Sequence, residues 1–83
     1  MLLDRLAVFL NDESMQFSYI LDNRRIEIQI DGKDWAPIII SEMSDELYVV
    51  SWGEVEYQFK NKEKAYQYVF RLCKYINESL QNV

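Results

Sequence analysis

Residues 47–59 read LYVVSWGEVEYQF, from Leu47 to Phe59, and encode a complete β-hairpin. Gly53 and Glu54 supply a two-residue turn with glycine first, the order a type II′ turn requires. A turn there sets Trp52 opposite Val55, Val50 opposite Tyr57 and Tyr48 opposite Phe59, so that six large side chains share one face. The other face carries Val49 against Gln58 and Ser51 against Glu56. A slip of one residue would reverse both alternations, so turn chemistry and side-chain pattern specify the same register.

Two strands precede this hairpin. Residues 15–21 set Met15, Phe17, Tyr19 and Leu21 against Gln16 and Ser18; residues 25–31 set Ile26, Ile28 and Ile30 against Glu27 and Gln29. Asp22 and Asn23 tolerate positive φ and permit a two-residue turn, which places Tyr19 opposite Ile26, Phe17 opposite Ile28 and Met15 opposite Ile30. Asp31-Gly32-Lys33-Asp34 forms the next turn. Residues 35–40 then make a third strand that is apolar on both sides. A two-residue turn sends Trp35 and Ile39 to the core side, a three-residue turn Ala36, Ile38 and Ile40. Pro37 lacks an N–H and belongs at an edge, a bulge or a position whose donor faces away. Residues 41–45 read as a polar loop around Met43.

Helices flank the strands. In residues 2–11, Leu2, Leu3, Leu6, Phe9 and Leu10 recur at three- and four-residue spacings, and the polar run Asn11 to Ser14 ends the pattern. Asn61 is an N-cap candidate with Glu63 in the first turn, followed by a stripe of Ala65, Val69, Leu72, Cys73, Ile76 and Leu80 to about residue 79. The expected class is α+β over a single domain, residues 1–83. An N-terminal helix, an antiparallel β-meander of about five strands and a C-terminal helix form two layers. Both helices lie on the sheet face lined by Phe17, Ile28, Val50 and Tyr57.

Composition limits the functional classes. With 49% apolar residues the chain can build a core, and its aromatic content is unlike that of disordered segments. Asp4 and Arg5 interrupt the first apolar residues before a signal sequence or membrane span can form, and Cys73 is the single cysteine. A cytoplasmic location is expected, with no membrane partner. The net charge is −5, with carboxylates concentrated ahead of Lys60 and lysines and arginine prevailing after it. An acidic body argues against nucleic acid as a partner, because phosphate binding needs clustered positive charge.

Catalytic signatures are missing. The chain has no histidine, no nucleophile elbow, no P-loop and no Rossmann fingerprint, and its two glycines both serve turns. Asp31 and Asp34, with Glu54 and Glu56, lack the spacing of a calcium loop. The expectation is a non-enzyme without metal or cofactor.

Surfaces carry the functional reading instead. Trp35, Ile38, Ile39 and Met43 are interleaved with Glu42, Asp45, Glu46, Glu54 and Glu56, and this set is the expected site for another protein: the apolar centre gives affinity and the carboxylates steer a basic partner. In size, acidity and organisation the chain resembles the small acidic inhibitors carried by phages and mobile elements, anti-CRISPR and immunity proteins among them. That resemblance implies a bacterial or phage inhibitor or adaptor and assigns no residue a role. The alternative expectation is a structural homo-oligomer, a second copy burying the two-sided third strand, which Ile38→Lys or Ile39→Lys would dissociate.

Overall fold

The computed structural model describes residues 2–30 and 35–81, with side chains described as far as Ser79. Helix α1 (Leu2–Asp12) leads into strands β1 (Phe17–Ile20), β2 (Arg25–Ile28), β3 (Ile38–Ser44), β4 (Leu47–Trp52) and β5 (Val55–Phe59), and helix α2 (Lys62–Gln81) follows. The strands form one antiparallel sheet in the order β1-β2-β3-β4-β5, as the meander reading expects. The turn Asp31 to Asp34, and the cation reading attached to it, lie outside the described residues.

The opening hairpin has the register its sequence specifies, with Trp52 paired to Val55, Val50 to Tyr57 and Tyr48 to Phe59. Gly53 has φ +64°, the positive value that the first turn position of a type II′ turn needs. Phe17 pairs with Ile28 and Tyr19 with Ile26, again as expected. Their turn differs in detail. The Arg24 N–H donates to the Leu21 carbonyl at 3.1 Å, and the positive φ, 48°, falls on Arg24 rather than on Asp22 or Asn23. A four-residue loop built on a right-handed turn needs one left-handed residue to rejoin the strand twist, and Arg24 occupies that position.

The third strand takes the register with Ile38 and Ile40 on the core side: Ile38 pairs with Ile28 and Trp52, Ile40 with Ile26 and Val50. Pro37 sits just ahead of this ladder, where no partner requires its missing donor. The expected loop at residues 41–45 is instead largely strand. Glu42 pairs with Tyr48 and Ser44 with Leu47, and the shift between them makes Met43 a bulge. Competing polar residues did not end the strand because the Glu42 N–H finds the Arg24 carbonyl at 2.9 Å.

Helix α1 ends in a Schellman motif. The Met15 N–H donates to the Leu10 carbonyl at 3.0 Å and the Ser14 N–H to the Asn11 carbonyl at 3.1 Å, while Ser14 takes φ 58°. Helix α2 begins at the expected cap, where Asn61 Oδ1 accepts the N–H groups of Glu63 at 2.8 Å and Lys64 at 3.1 Å.

Both helices cover the same sheet face, α1 over β1 and β2, α2 over β4 and β5. The core joins Leu3, Leu6 and Leu10 of α1 to Ala65, Val69, Cys73 and Ile76 of α2 across Ile26, Ile28, Ile38, Ile40 and Val50. Phe9 stacks on Phe70 with centroids 4.9 Å apart. Burial, and secondarily Glu13, pushes the Cys73 thiol up to about 12, so it acts as a packed apolar group and not as a thiolate. Arg5 pairs with Glu63 at 2.5 Å and lies over the Tyr66 ring, and Lys74 pairs with Glu13, so ionic contacts tie α1 and its C-terminal turn to α2.

Candidate protein-binding surface

With both helices on one side, the opposite sheet face is uncovered by them. Strand register arranges its side chains in two cross-strand rows. One row runs Ser18, Glu27, Ile39, Ser51, Glu56; the next runs Ile20, Arg25, Ser41, Val49, Gln58. Ile39 and Val49 form a half-buried apolar middle, and Leu47 continues it toward one end. Glu27 pairs with Arg25 two residues away at 3.3 Å, an arrangement that alternation permits because both side chains emerge on one face. Glu56 is exposed beside Ser51.

That end of the sheet also carries two large apolar side chains in solvent. Met43, pushed out by the bulge, is 64% exposed, and Leu21, in the neighbouring β1–β2 turn, is 72% exposed. Asp22, Asp45 and Glu46 are exposed in the adjoining turns. Apolar tips among carboxylates therefore border the open face where β3 turns into β4.

The residues expected to form one partner site are distributed over three places. Ile39 and Glu56 lie on the open face, with Met43, Asp45 and Glu46 at its bulge end. Glu54 occupies the Gly53 turn at the other end, roughly 17 Å away along a six-residue strand. Trp35 is half-buried near the same end, packed edge-on to Trp52 with ring centroids 5.8 Å apart. Trp52 in turn donates Nε1–H to the Ala36 carbonyl at 2.8 Å.

Ile38 and Glu42 must be removed from the set. Ile38 is fully buried in the core, because β3 presents its even-numbered residues to the helices. For the homo-oligomer reading only the Ile39 side of β3 remains open to a second copy, since Ile38 is in the core and a lysine there would disrupt the fold before it disrupted a dimer. Glu42 points to the same covered face and is 8% exposed. Arg24 approaches to 4.0 Å, yet Glu42 Oε2 is buried without a hydrogen-bond partner among the described residues. Nearby, burial first and then Glu42 and Asp45 hold the Tyr48 phenol above its ordinary value. Burial and the hydrogen bond to Asp4 do the same for Tyr19.

Sequence reasoning did not assign Leu21 or Ile20 to this surface, since alternation placed Leu21 with the core residues. The turn beginning at Leu21 releases it from the strand. Among the described residues no group of three His, Cys, Asp or Glu side chains could hold a metal ion. Nor is any described helix long and apolar enough to cross a membrane. No family model, curated protein or solved structure matches the chain.

Proposed function

We propose that this protein is a non-catalytic binding module, an inhibitor or adaptor of the phage or mobile-element kind, that places its open sheet face on a basic protein. One observation carries the reading. The uncovered face has an apolar middle, Ile39 and Val49, and ends at a border where Met43 and Leu21 project among Asp22, Asp45 and Glu46. Buried apolar area would supply the affinity, while the border carboxylates would steer association and impose salt dependence. The net charge of −5 favours a positively charged partner over nucleic acid.

The test is parallel affinity capture from a source-cell or host lysate with wild type, Ile39→Arg and the double variant D45N/E46Q. Each bait is first checked for an unchanged circular dichroism spectrum. The expected result is one stoichiometric partner that Ile39→Arg loses and that D45N/E46Q retains weakly, with less salt dependence. Equal recovery by all three baits would place binding elsewhere on the molecule.

A further inference from the structure

We infer that the β5 edge is a self-association site, at which a second copy of the chain pairs antiparallel about a twofold axis at Tyr57. The inference concerns a different surface from the open face and stands or falls separately from it. β5 is the last strand of the sheet, and Val55, Glu56, Tyr57 and Gln58 are all exposed. Natural sheets blunt such edges with proline, lysine, bulges or a covering segment. β5 has no proline, lysine or bulge and its pairing with β4 is regular; Glu56, on the open face, is its one charged side chain.

The hairpin defines which backbone groups are free. In a two-residue hairpin the closing pair, here Trp52 and Val55, exchanges hydrogen bonds, and bonding alternates from there. Val55, Tyr57 and Phe59 therefore bond to β4. Glu56 and Gln58 direct their N–H and C=O groups outward, with Glu54 and Lys60 continuing the outward set at either end.

One antiparallel register uses all of them. Centring it on Tyr57 puts Val55 opposite Phe59 of the second copy, Glu56 opposite its Gln58, and Glu54 opposite its Lys60. Every residue of β5 is then paired, apolar with apolar and Glu56 with the neutral Gln58, and the flanking Glu54 and Lys60 pair acid with base. Moving the axis to Glu56 would oppose two like charges, which disfavours pairing. Moving it to Gln58 would leave Val55 facing Asn61.

The helix side of the edge completes the complementarity. Val55 and Tyr57, although on the core face, are 51% and 49% exposed. Tyr68 of α2 lies against both Tyr57 and Phe59, with centroids 5.2 and 5.4 Å away. A groove of about 350 Å3 opens there, with Phe59 and Tyr68 as its apolar lining and Glu63, Lys64, Gln67 and Arg71 as its polar groups, two bases to one acid. In the proposed register, Val55 of the second copy enters this groove beside Phe59, and the acidic Gly53 turn of each copy approaches the basic helix of the other. The uneven charge of the chain, acidic body and basic C-terminal helix, thereby becomes self-complementary.

The experiment measures molar mass by sedimentation from about 10 µM to about 1 mM. Wild type is expected to dimerise. Glu54→Lys, which opposes two lysines, and Lys60→Glu, which opposes two glutamates, should each weaken the dimer roughly tenfold, and the double variant E54K/K60E should recover it. Tyr57→Cys should crosslink across the axis under oxidised glutathione, because a non-hydrogen-bonded antiparallel pair brings Cα atoms to about 4.5 Å, within disulfide reach. Gln58→Cys, offset from its symmetry mate, should form no disulfide between copies. A monomeric mass over the whole range overturns the inference and leaves the edge to a strand of another protein. A dimer that Glu54→Lys leaves intact and Tyr57→Cys does not crosslink overturns it equally.

Discussion

Strands β3 and β5 obey the same alternation with opposite results. In β3, Ile38 and Ile40 are wholly excluded from water, whereas in β5 their counterparts Val55 and Tyr57 keep about half their surface in solvent. The cause is the shape of the helix layer. Five strand axes span roughly 19 Å, and two helices packed 8–10 Å apart cover the middle of that width better than its edges. Helix α2 enters beside Phe59 and carries its core stripe as far as Ile76, which with Asn77 lines a cavity shared with Ser14, Met15, Gln16, Gln29 and Ile30. It thus crosses the sheet away from the Gly53 turn. Alternation decides which face a side chain takes; the path of the covering helix decides whether that face is dry.

Breaking the centre should therefore cost far more than breaking the edge. Ile28→Ala or Ile40→Ala is expected to lower stability by about 2–5 kcal/mol, the sum of lost transfer energy and the cavity left in a closed core. Val55→Ala should cost less than about 1 kcal/mol, since the half-exposed site can relax and hydrate. Urea midpoints, measured dilute enough to suppress any association, provide the comparison. If Val55→Ala matched Ile40→Ala, the edge would be as dry as the centre and this account of coverage would fail.

The covered face also contains one group that the sequence reading placed in a loop. Glu42 occupies a position facing the helices, and its Oε2 has no hydrogen-bond partner among the described residues. An incompletely paired buried carboxylate opposes folding, and Arg24, more than half exposed at 4.0 Å, recovers little of that cost. Glu42→Gln is expected to raise stability by about 1 kcal/mol at neutral pH. A fall in the urea midpoint would show that the Arg24 pairing outweighs the burial. A smaller gain, about 0.5–1 kcal/mol, is expected from Ser14→Gly, because the C′ residue of the α1 Schellman motif is left-handed and glycine adopts that φ without the Cβ penalty.

The hairpins, both helices and the Asn61 cap were legible in the sequence because each depends on neighbours a few residues away. The register of β3 was not, since Ile38, Ile39 and Ile40 are alike apolar and the choice depends on pairing with Ile26 and Val50, distant in sequence. The polar run Ser41 to Asp45 also misled: its strand character comes from pairing with β4 and from the Arg24 carbonyl, which a single-segment reading cannot supply. The expected binding set was dispersed for the same reason. Adjacency along residues 35–56 put Ile38 with Ile39 and Glu42 with Met43, while the pleat sends each pair to opposite faces. Exposure of Tyr57 required knowing where α2 runs.

The smallest expected effect lies at the seam between the helices that determines this coverage. Arg5 donates to Glu63, which holds the Glu63 carboxyl below its ordinary value; desolvation, second in size, opposes this, and Gln67 and Lys62 add lesser lowering effects. A group whose folded pKa is depressed contributes stability at pH above its unfolded value and loses it as pH falls through the folded value. Wild type should therefore exceed Glu63→Gln in urea midpoint at pH 7, and the gap should close on acidification below the ordinary carboxylate range. Both side chains are about half exposed, so the gap should be small and shrink further in molar salt. Arg5 also lies 3.7 Å over the Tyr66 ring, a contact that does not titrate with Glu63. Arg5→Ala should consequently retain part of its deficit at low pH, where Glu63→Gln has none. If both variants converged on wild type in acid, the carboxylate alone would account for the attachment of α1 to α2 at this point, and the aromatic contact would contribute nothing measurable.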